Sequence, residues 1–333
     1  MITCPHCNNT VKKTDTFCYQ CGYDLLEDSI GEEAVYLKDS IPENVCLSAI
    51  NIHKYFSGVK ALEGASVVVT KNKLISLIGP NGSGKTTLFN VITGWLEKTN
   101  LRIQEKKIEK KEETSLPEST EENNGKNTKS DDQIPLDIGF VKFEDLRVDG
   151  LTAHEVALTG MMRTFQTTRN WPKLTVLENL LVSLPKQAGE NILNVFFRRK
   201  KIREEERKNT LKALEVLELL EITHIRDQIG EELSGGQLKL LALGRLLITS
   251  PRLILLDEPM AGINPTLGNK IMDKILELKN ESTIFLIEHN MDVVFNYSDE
   301  IFVMARGKII AQGNPEEIAN NTEVIEAYLG ADY

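Results

Sequence analysis

The amino-acid sequence predicts an α/β fold built on a buried parallel sheet, and three stretches predict it. Leu74-Ile75-Ser76-Leu77-Ile78 is an apolar, strand-like run that leads into Gly79-Pro80-Asn81-Gly82-Ser83-Gly84-Lys85-Thr86-Thr87 and then into a helically patterned segment, Thr86 to Gly94. Leu253-Ile254-Leu255-Leu256-Asp257-Glu258-Pro259 is an apolar run that ends in two carboxylates. Thr283-Ile284-Phe285-Leu286-Ile287-Glu288-His289 repeats that pattern. Short apolar runs ending in charge read as buried parallel strands whose C-terminal ends open on a site.

The glycine-rich stretch matches the phosphate-loop pattern G-x-x-x-x-G-K-[ST]. Its glycines let the backbone turn tightly, so that consecutive N–H groups point at one anion. The helix N-terminus adds partial positive charge. Lys85 brings a full charge to β- and γ-phosphates, and the Thr86 hydroxyl is placed to bind Mg²⁺. The alternative is a plain glycine-rich turn capping a helix. The strand, turn and helix in succession favour a nucleoside triphosphate site.

The chain has 333 residues, 41% apolar and 26% charged, as expected for a globular protein with a substantial core. Its net charge of −10 disfavours a dedicated nucleic-acid binder. No apolar run approaches the roughly 18 residues of a membrane span. The N-terminus, Met-Ile-Thr-Cys-Pro-His-Cys, lacks the features of a signal peptide. A cytoplasmic protein is expected, with any membrane association made through a partner.

Taken in order, residues 1–24 hold Cys4-Pro5-His6-Cys7 and Cys18-Tyr19-Gln20-Cys21. Two C-x-x-C pairs ten residues apart suit a tetrahedral structural Zn²⁺ site formed by Cys4, Cys7, Cys18 and Cys21. Two disulfides or four unrelated thiols are the alternatives, the disulfides being disfavoured in a reducing compartment. A module this small needs its metal to fold, and it resembles short prokaryotic zinc ribbons. Residues 25–44 read as an acidic linker. Val45 to Val69 alternates like antiparallel strands, and Tyr55 and Phe56 stand out as aromatics that could stack on an adenine or pack in a core. Residues 101–136, rich in Lys, Glu, Ser, Thr and Asn, read as a disordered or partly helical surface insertion. A strand is expected over Ile138 to Phe143 and helices over Thr175 to Leu184 and Asn191 to Ile222. Phe196-Phe197-Arg198-Arg199-Lys200-Lys201 could touch a membrane surface, but core aromatics beside a solvated basic turn are preferred. Leu233-Ser234-Gly235-Gly236-Gln237 can cap the following helix, Leu238 to Thr249, and offer N–H groups to an anion. Two short strands, a helix from Pro315 and a last helix from Thr322 to Leu329 complete residues 45–330.

In this order and spacing, these stretches resemble the ATP-binding subunit of an ABC transporter. The phosphate loop looks like its Walker A motif, Leu233 to Gln237 its LSGGQ signature, and Leu253 to Glu258 its Walker B. Gln166 falls at the Q-loop and His289 at the switch histidine. Arg163-Thr164-Phe165-Gln166, Leu174-Thr175-Val176-Leu177-Glu178-Asn179, Ala261-Gly262-Ile263-Asn264-Pro265 and Val324 to Gly330 are further similar to the ATPases of branched-chain amino acid importers, whose relatives serve urea and short amides. The insertion and the zinc ribbon are not part of that pattern.

The resemblance implies a P-loop NTPase (RecA-like) core with an antiparallel β subdomain and a helical subdomain. It implies that Gly79 to Thr87 hold ATP, that Phe56 (or Tyr55) stacks on adenine, and that Thr86, Gln166 and Asp257 serve Mg²⁺. Glu258 would polarise the attacking water and His289 would bond the γ-phosphate. Ser234, Gly235, Gly236 and Gln237 would meet the nucleotide of a second ABC ATPase subunit, in a homo- or heterodimer. Thr167 to Leu174 would hold a groove for one of two membrane permease subunits, with Trp171 either touching it or packing on the helical subdomain. An extracytoplasmic solute-binding protein would act indirectly, and the chain would lie peripherally on the inner face of the membrane. The alternative is a soluble ABC-class ATPase that acts on nucleic acid or the ribosome through its ribbon.

Overall fold

The structure is a computed structural model that describes residues 2–3, 10–11, 44–56, 59–98, 139–164, 170–190 and 192–329. The four cysteines assigned to zinc, nearly all of the linker, the 101–136 insertion and Gln166 lie outside the described residues. Strands β1 (Ile2–Thr3) and β2 (Thr10–Val11) pair antiparallel, with Ile2 opposite Val11.

The alternating segment folds as expected into antiparallel β3 (Val45–Phe56) and β4 (Val59–Thr70). With β6 (Phe140–Phe143) and β7 (Leu146–Arg147) they form a four-stranded sheet ordered β4-β3-β6-β7. The second sheet has six strands. Its central members β5 (Leu74–Ile78), β9 (Leu253–Asp257) and β10 (Thr283–Ile287) are buried at every residue, which is why their sequences do not alternate. With β8 (Met161–Arg163), β11 (Glu300–Ala305) and β12 (Lys308–Gly313) the order is β12-β11-β5-β10-β9-β8, parallel throughout except for β12 at one edge.

Helix α1 (Lys85–Ile92) follows β5, and its Leu88, Phe89, Val91 and Ile92 pack into a core that fills the space between the two sheets. Phe89, Phe285 and Phe302 meet at its centre, with ring centroids 4.9 and 6.4 Å apart. A second core lies on the opposite face of the parallel sheet. It joins Leu74, Ile254, Leu256, Ile284 and Leu286 to a helical layer. That layer comprises α3 (Val176–Leu181), α5 (Arg199–Leu219), α6 (Gly235–Leu247) and α7 (Pro265–Glu277), numbered after α2 (Ala153–Leu158) and α4 (Ile192–Phe197). Helices α8 (Met291–Tyr297), α9 (Pro315–Ala319) and α10 (Thr322–Leu329) close a third cluster against Ile301 and Val303.

Two expectations are corrected. The single helix over Asn191 to Ile222 is broken at Arg198 (φ −126°, ψ 33°), where neither glycine nor proline marks the break. Phe196 and Phe197 are not core aromatics: they are 64% and 83% exposed. The buried residues of α5 (Ala213, Val216 and Leu217) all lie in its C-terminal half. Its N-terminal half therefore runs past the core, and among the described residues the two rings are left largely uncovered.

Candidate nucleotide site

The C-terminal ends of β5, β9 and β10 lie side by side, so the phosphate loop, the Asp257–Glu258 pair and the Glu288–His289 pair converge at one edge of the sheet. This is the position where open parallel sheets bind ligands. The loop is folded by steric necessity. Gly79 takes φ 148°, and a Cβ there would stand 2.0 Å from the Met304 carbonyl oxygen. Gly84, at φ 110°, caps α1 without any side-chain bond, which leaves the helix N-terminus open to an anion. Lys85 is buried, and its Nζ donates to the carbonyls of Gly79 (2.8 Å) and Pro80 (3.0 Å). Burial pushes the Lys85 ammonium down, while the Glu258 and Asp257 carboxylates oppose that shift.

Asp257 ends β9 and is 2% exposed. Its Oδ2 accepts from Arg163 at 2.8 Å, whereas its buried Oδ1 has no hydrogen-bond partner among the described residues. Burial pushes its carboxyl up, against the lowering effect of Arg163. A buried carboxylate oxygen left without a partner among the described residues, close enough to feel the Lys85 charge, is a hard-oxygen donor of the kind that Mg²⁺ takes. Glu258 follows in the left-handed region, φ 50°, with its N–H bonded to Ile287 O on β10. That strained backbone holds its side chain at His289, where Nε2 and Glu258 Oε1 are 2.8 Å apart. Glu288 is buried and accepts from the N–H groups of Met260 (2.9 Å) and His289 (3.1 Å), so it shapes the turn rather than facing ligand.

Phe56 is 42% exposed at the end of β3. The β3–β4 hairpin comes close to the phosphate loop, since a Cβ on Gly84 would meet Ala61 O at 2.5 Å. Both rings meet a lysine, Tyr55 at Lys60 (5.8 Å) and Phe56 at Lys54 (5.3 Å), and Tyr55 also bonds His53, so Phe56 is distinguished by its greater exposure. The signature residues are placed apart from the loop, at the start of α6 in the helical layer. Ser234 accepts from the Gln237 N–H and Gln237 Oε1 accepts from the Ser234 N–H, a capping box. Trp171 is 40% exposed, with the Arg245 guanidinium 4.3 Å from its ring centroid, so it both packs on the helical layer and presents an edge outside. Three residues to which the sequence assigned no role prove structurally important. Arg163 bonds Asp257, Lys239 reaches from α6 to the carbonyls of Glu258, Pro259 and Ala261, and Asn179 organises the turn before α3. The signal for the first two was a charge inside an apolar run, which demands a buried partner.

Residues 62–261 match the family model of the ABC transporter. The chain belongs to the ABC transporter ATP-binding family. As a member of it, this ABC cassette is an ATP-hydrolysing protein. Residues 308–333 match a second family model, the branched-chain amino acid ATP-binding cassette transporter. The cassette is 40% identical over 285 residues to a probable branched-chain amino acid transport ATP-binding protein LivG of Methanocaldococcus jannaschii, covering 84% of this chain and 95% of that protein. It is 31% identical to the high-affinity branched-chain amino acid transport ATP-binding protein LivG of Escherichia coli K12, covering 85% and 97%. The cassette also superposes on the crystal structure of the ADP conformation of MJ1267, an ATP-binding cassette of an ABC transporter. The TM-score is 0.64 at 37% identity, over 86% of this chain and 99% of that one. Among the described residues, no helix is long and apolar enough to cross a membrane.

Proposed function

We propose that this cassette powers an importer of branched-chain amino acids. The observation that carries this reading is the match of residues 308–333 to the branched-chain amino acid cassette model, because the nucleotide site itself is common to all ABC ATPases. The similarity to LivG proteins over nearly their whole length supports it.

In this reading Lys85 and the N–H groups from Gly79 to Thr87 hold the β- and γ-phosphates of ATP, and Phe56 stacks on the adenine. Thr86 would bind Mg²⁺ directly, Asp257 through water, and Gln166 would complete the shell. The ion supplies charge neutralisation at the phosphate oxygens. Glu258 polarises the attacking water, and His289, which meets Glu258 in this structure, turns to the γ-phosphate. Ser234, Gly235, Gly236 and Gln237 serve the nucleotide of a facing cassette. Support comes from Gly235: nothing lies within 4 Å of a Cβ built there, so no packing within the described residues requires glycine. A close approach from outside would require it. ATP then closes the pair and hydrolysis releases it, a motion passed to two permease subunits at the inner membrane face, fed by an extracytoplasmic solute-binding protein.

Expression of the chain with permease and second-ATPase genes from its own genome tests this proposal directly. The expected outcome is a membrane complex that takes up leucine, isoleucine or valine only with ATP. Stable membrane complexes that import none of them would overturn the substrate, and no complex at all would overturn the transporter. Zinc at Cys4, Cys7, Cys18 and Cys21 is proposed as purely structural. The support is in the sequence, where two C-x-x-C pairs ten residues apart have the spacing of a tetrahedral zinc site. Cys4→Ser is expected to lower zinc in purified protein by metal analysis while ATPase activity persists. Unchanged zinc content would exclude Cys4 as a ligand.

A further inference from the structure

We propose that Arg163 is a positioning residue for the Mg²⁺ side of the nucleotide site, a role that rests on the reading of Asp257 given above. Arg163 pairs in register with Leu255 on β9, so Asp257, two residues on, projects from the same face of the sheet. The guanidinium, with its side chain 5% exposed, forks between two elements. One nitrogen donates to Asp257 Oδ2 at 2.8 Å. The other donates to Asn90 Oδ1 and lies 3.5 Å from Thr93 Oγ1, at the C-terminal end of α1. Thr164, the next residue, accepts from the Asp257 N–H through its hydroxyl at 3.1 Å.

Helix α1 begins with Lys85 and Thr86. One planar cation therefore ties the helix that carries the phosphate-loop hydroxyl to the strand end that carries the carboxylate, two elements far apart in sequence that must meet the same ion. It also occupies Oδ2, while Oδ1 has no partner among the described residues and is available to the ligand. A simple buried counter-ion needs only charge, which lysine supplies. A brace needs the fork, which lysine lacks. The two roles are thus separable by experiment.

The test uses the full-length chain and a fluorescent ATP analogue, titrated with Mg²⁺ and separately in EDTA, beside thermal melts. Arg163→Lys is expected to bind the analogue in EDTA as wild type does. It is expected to need about tenfold more Mg²⁺ for half of the metal-induced tightening, the scale of one lost charge-assisted hydrogen bond. A wild-type Mg²⁺ midpoint with only a lower melting temperature would reduce Arg163 to a counter-ion and overturn the proposal. If Arg163→Lys does not fold, Asn90→Ala decides. It frees the helix end while keeping the Arg163–Asp257 pair, and a higher Mg²⁺ midpoint supports the brace while an unchanged one refutes it. Asp257→Asn separates the premises. A changed Mg²⁺ requirement there with unchanged Arg163 and Asn90 variants sinks only the brace, and an unchanged one sinks the assignment of Asp257 with it.

Discussion

At the scale of single residues, the site is set by positions that tolerate one side chain only. Gly79 is the sharpest case. A methyl group there would have to displace the Met304 carbonyl at 2.0 Å while the backbone kept φ 148°. Gly79→Ala is expected to cost about 2–4 kcal/mol in urea unfolding, the combined scale of backbone strain and overpacking. ATP affinity should fall with it. A variant that unfolds like wild type would show that the loop relaxes freely. Glu258 is the converse case, a non-glycine residue in the left-handed region held by its bond to Ile287 O. The sequence showed that a carboxylate pair ends β9, because adjacent charges after an apolar run are conspicuous. It did not show that Glu258 pairs with His289 at 2.8 Å, because that depends on β9 and β10 being neighbours.

At the scale of elements, helix starts carry a local signal that helix interruptions lack. Capping boxes begin α2, α3, α6 and α9, at Thr152, Thr175, Ser234 and Asn314, each with its partner three residues on. The break at Arg198 has no such local signal. It reflects the end of the core beneath α5, a tertiary fact. Asn179 shows how one side chain can organise a loop. Fully buried, it accepts from the Trp171 N–H and donates to the carbonyls of Trp171, Leu174 and Thr175. Asn179→Ala strands several of these groups and is expected to cost about 2–4 kcal/mol, since each unsatisfied buried group costs about 1–3 kcal/mol. Denaturant melts read this directly. A loss within error of zero would mean that water replaces the amide.

At the scale of the whole molecule, two sheets and a helical layer bring together loops from distant parts of the chain. The periods of the strands predicted the two sheet types. The strand order β12-β11-β5-β10-β9-β8 was beyond sequence reading, because short strands do not encode their neighbours. The C-terminal helices complete the fold against the sheet edge, and there burial pushes the Tyr328 phenol from 10.0 up to about 12. A raised folded pKa means stability that is fully present below pH 10.0 and is lost as pH rises towards about 12. Tyr328→Phe is expected to flatten that alkaline loss, and an equally steep decline in the variant would place its cause elsewhere.

All three scales bear on one proposal, that Glu258 does chemistry at a site built by the phosphate loop, Asp257 and His289. The most direct measurement compares nucleotide binding and steady-state ATPase activity of wild type and Glu258→Gln. The variant is expected to bind ATP as wild type does while turnover falls by at least about 100-fold, the lower range for losing a general base. Near-normal hydrolysis by a variant that binds ATP normally would contradict the account.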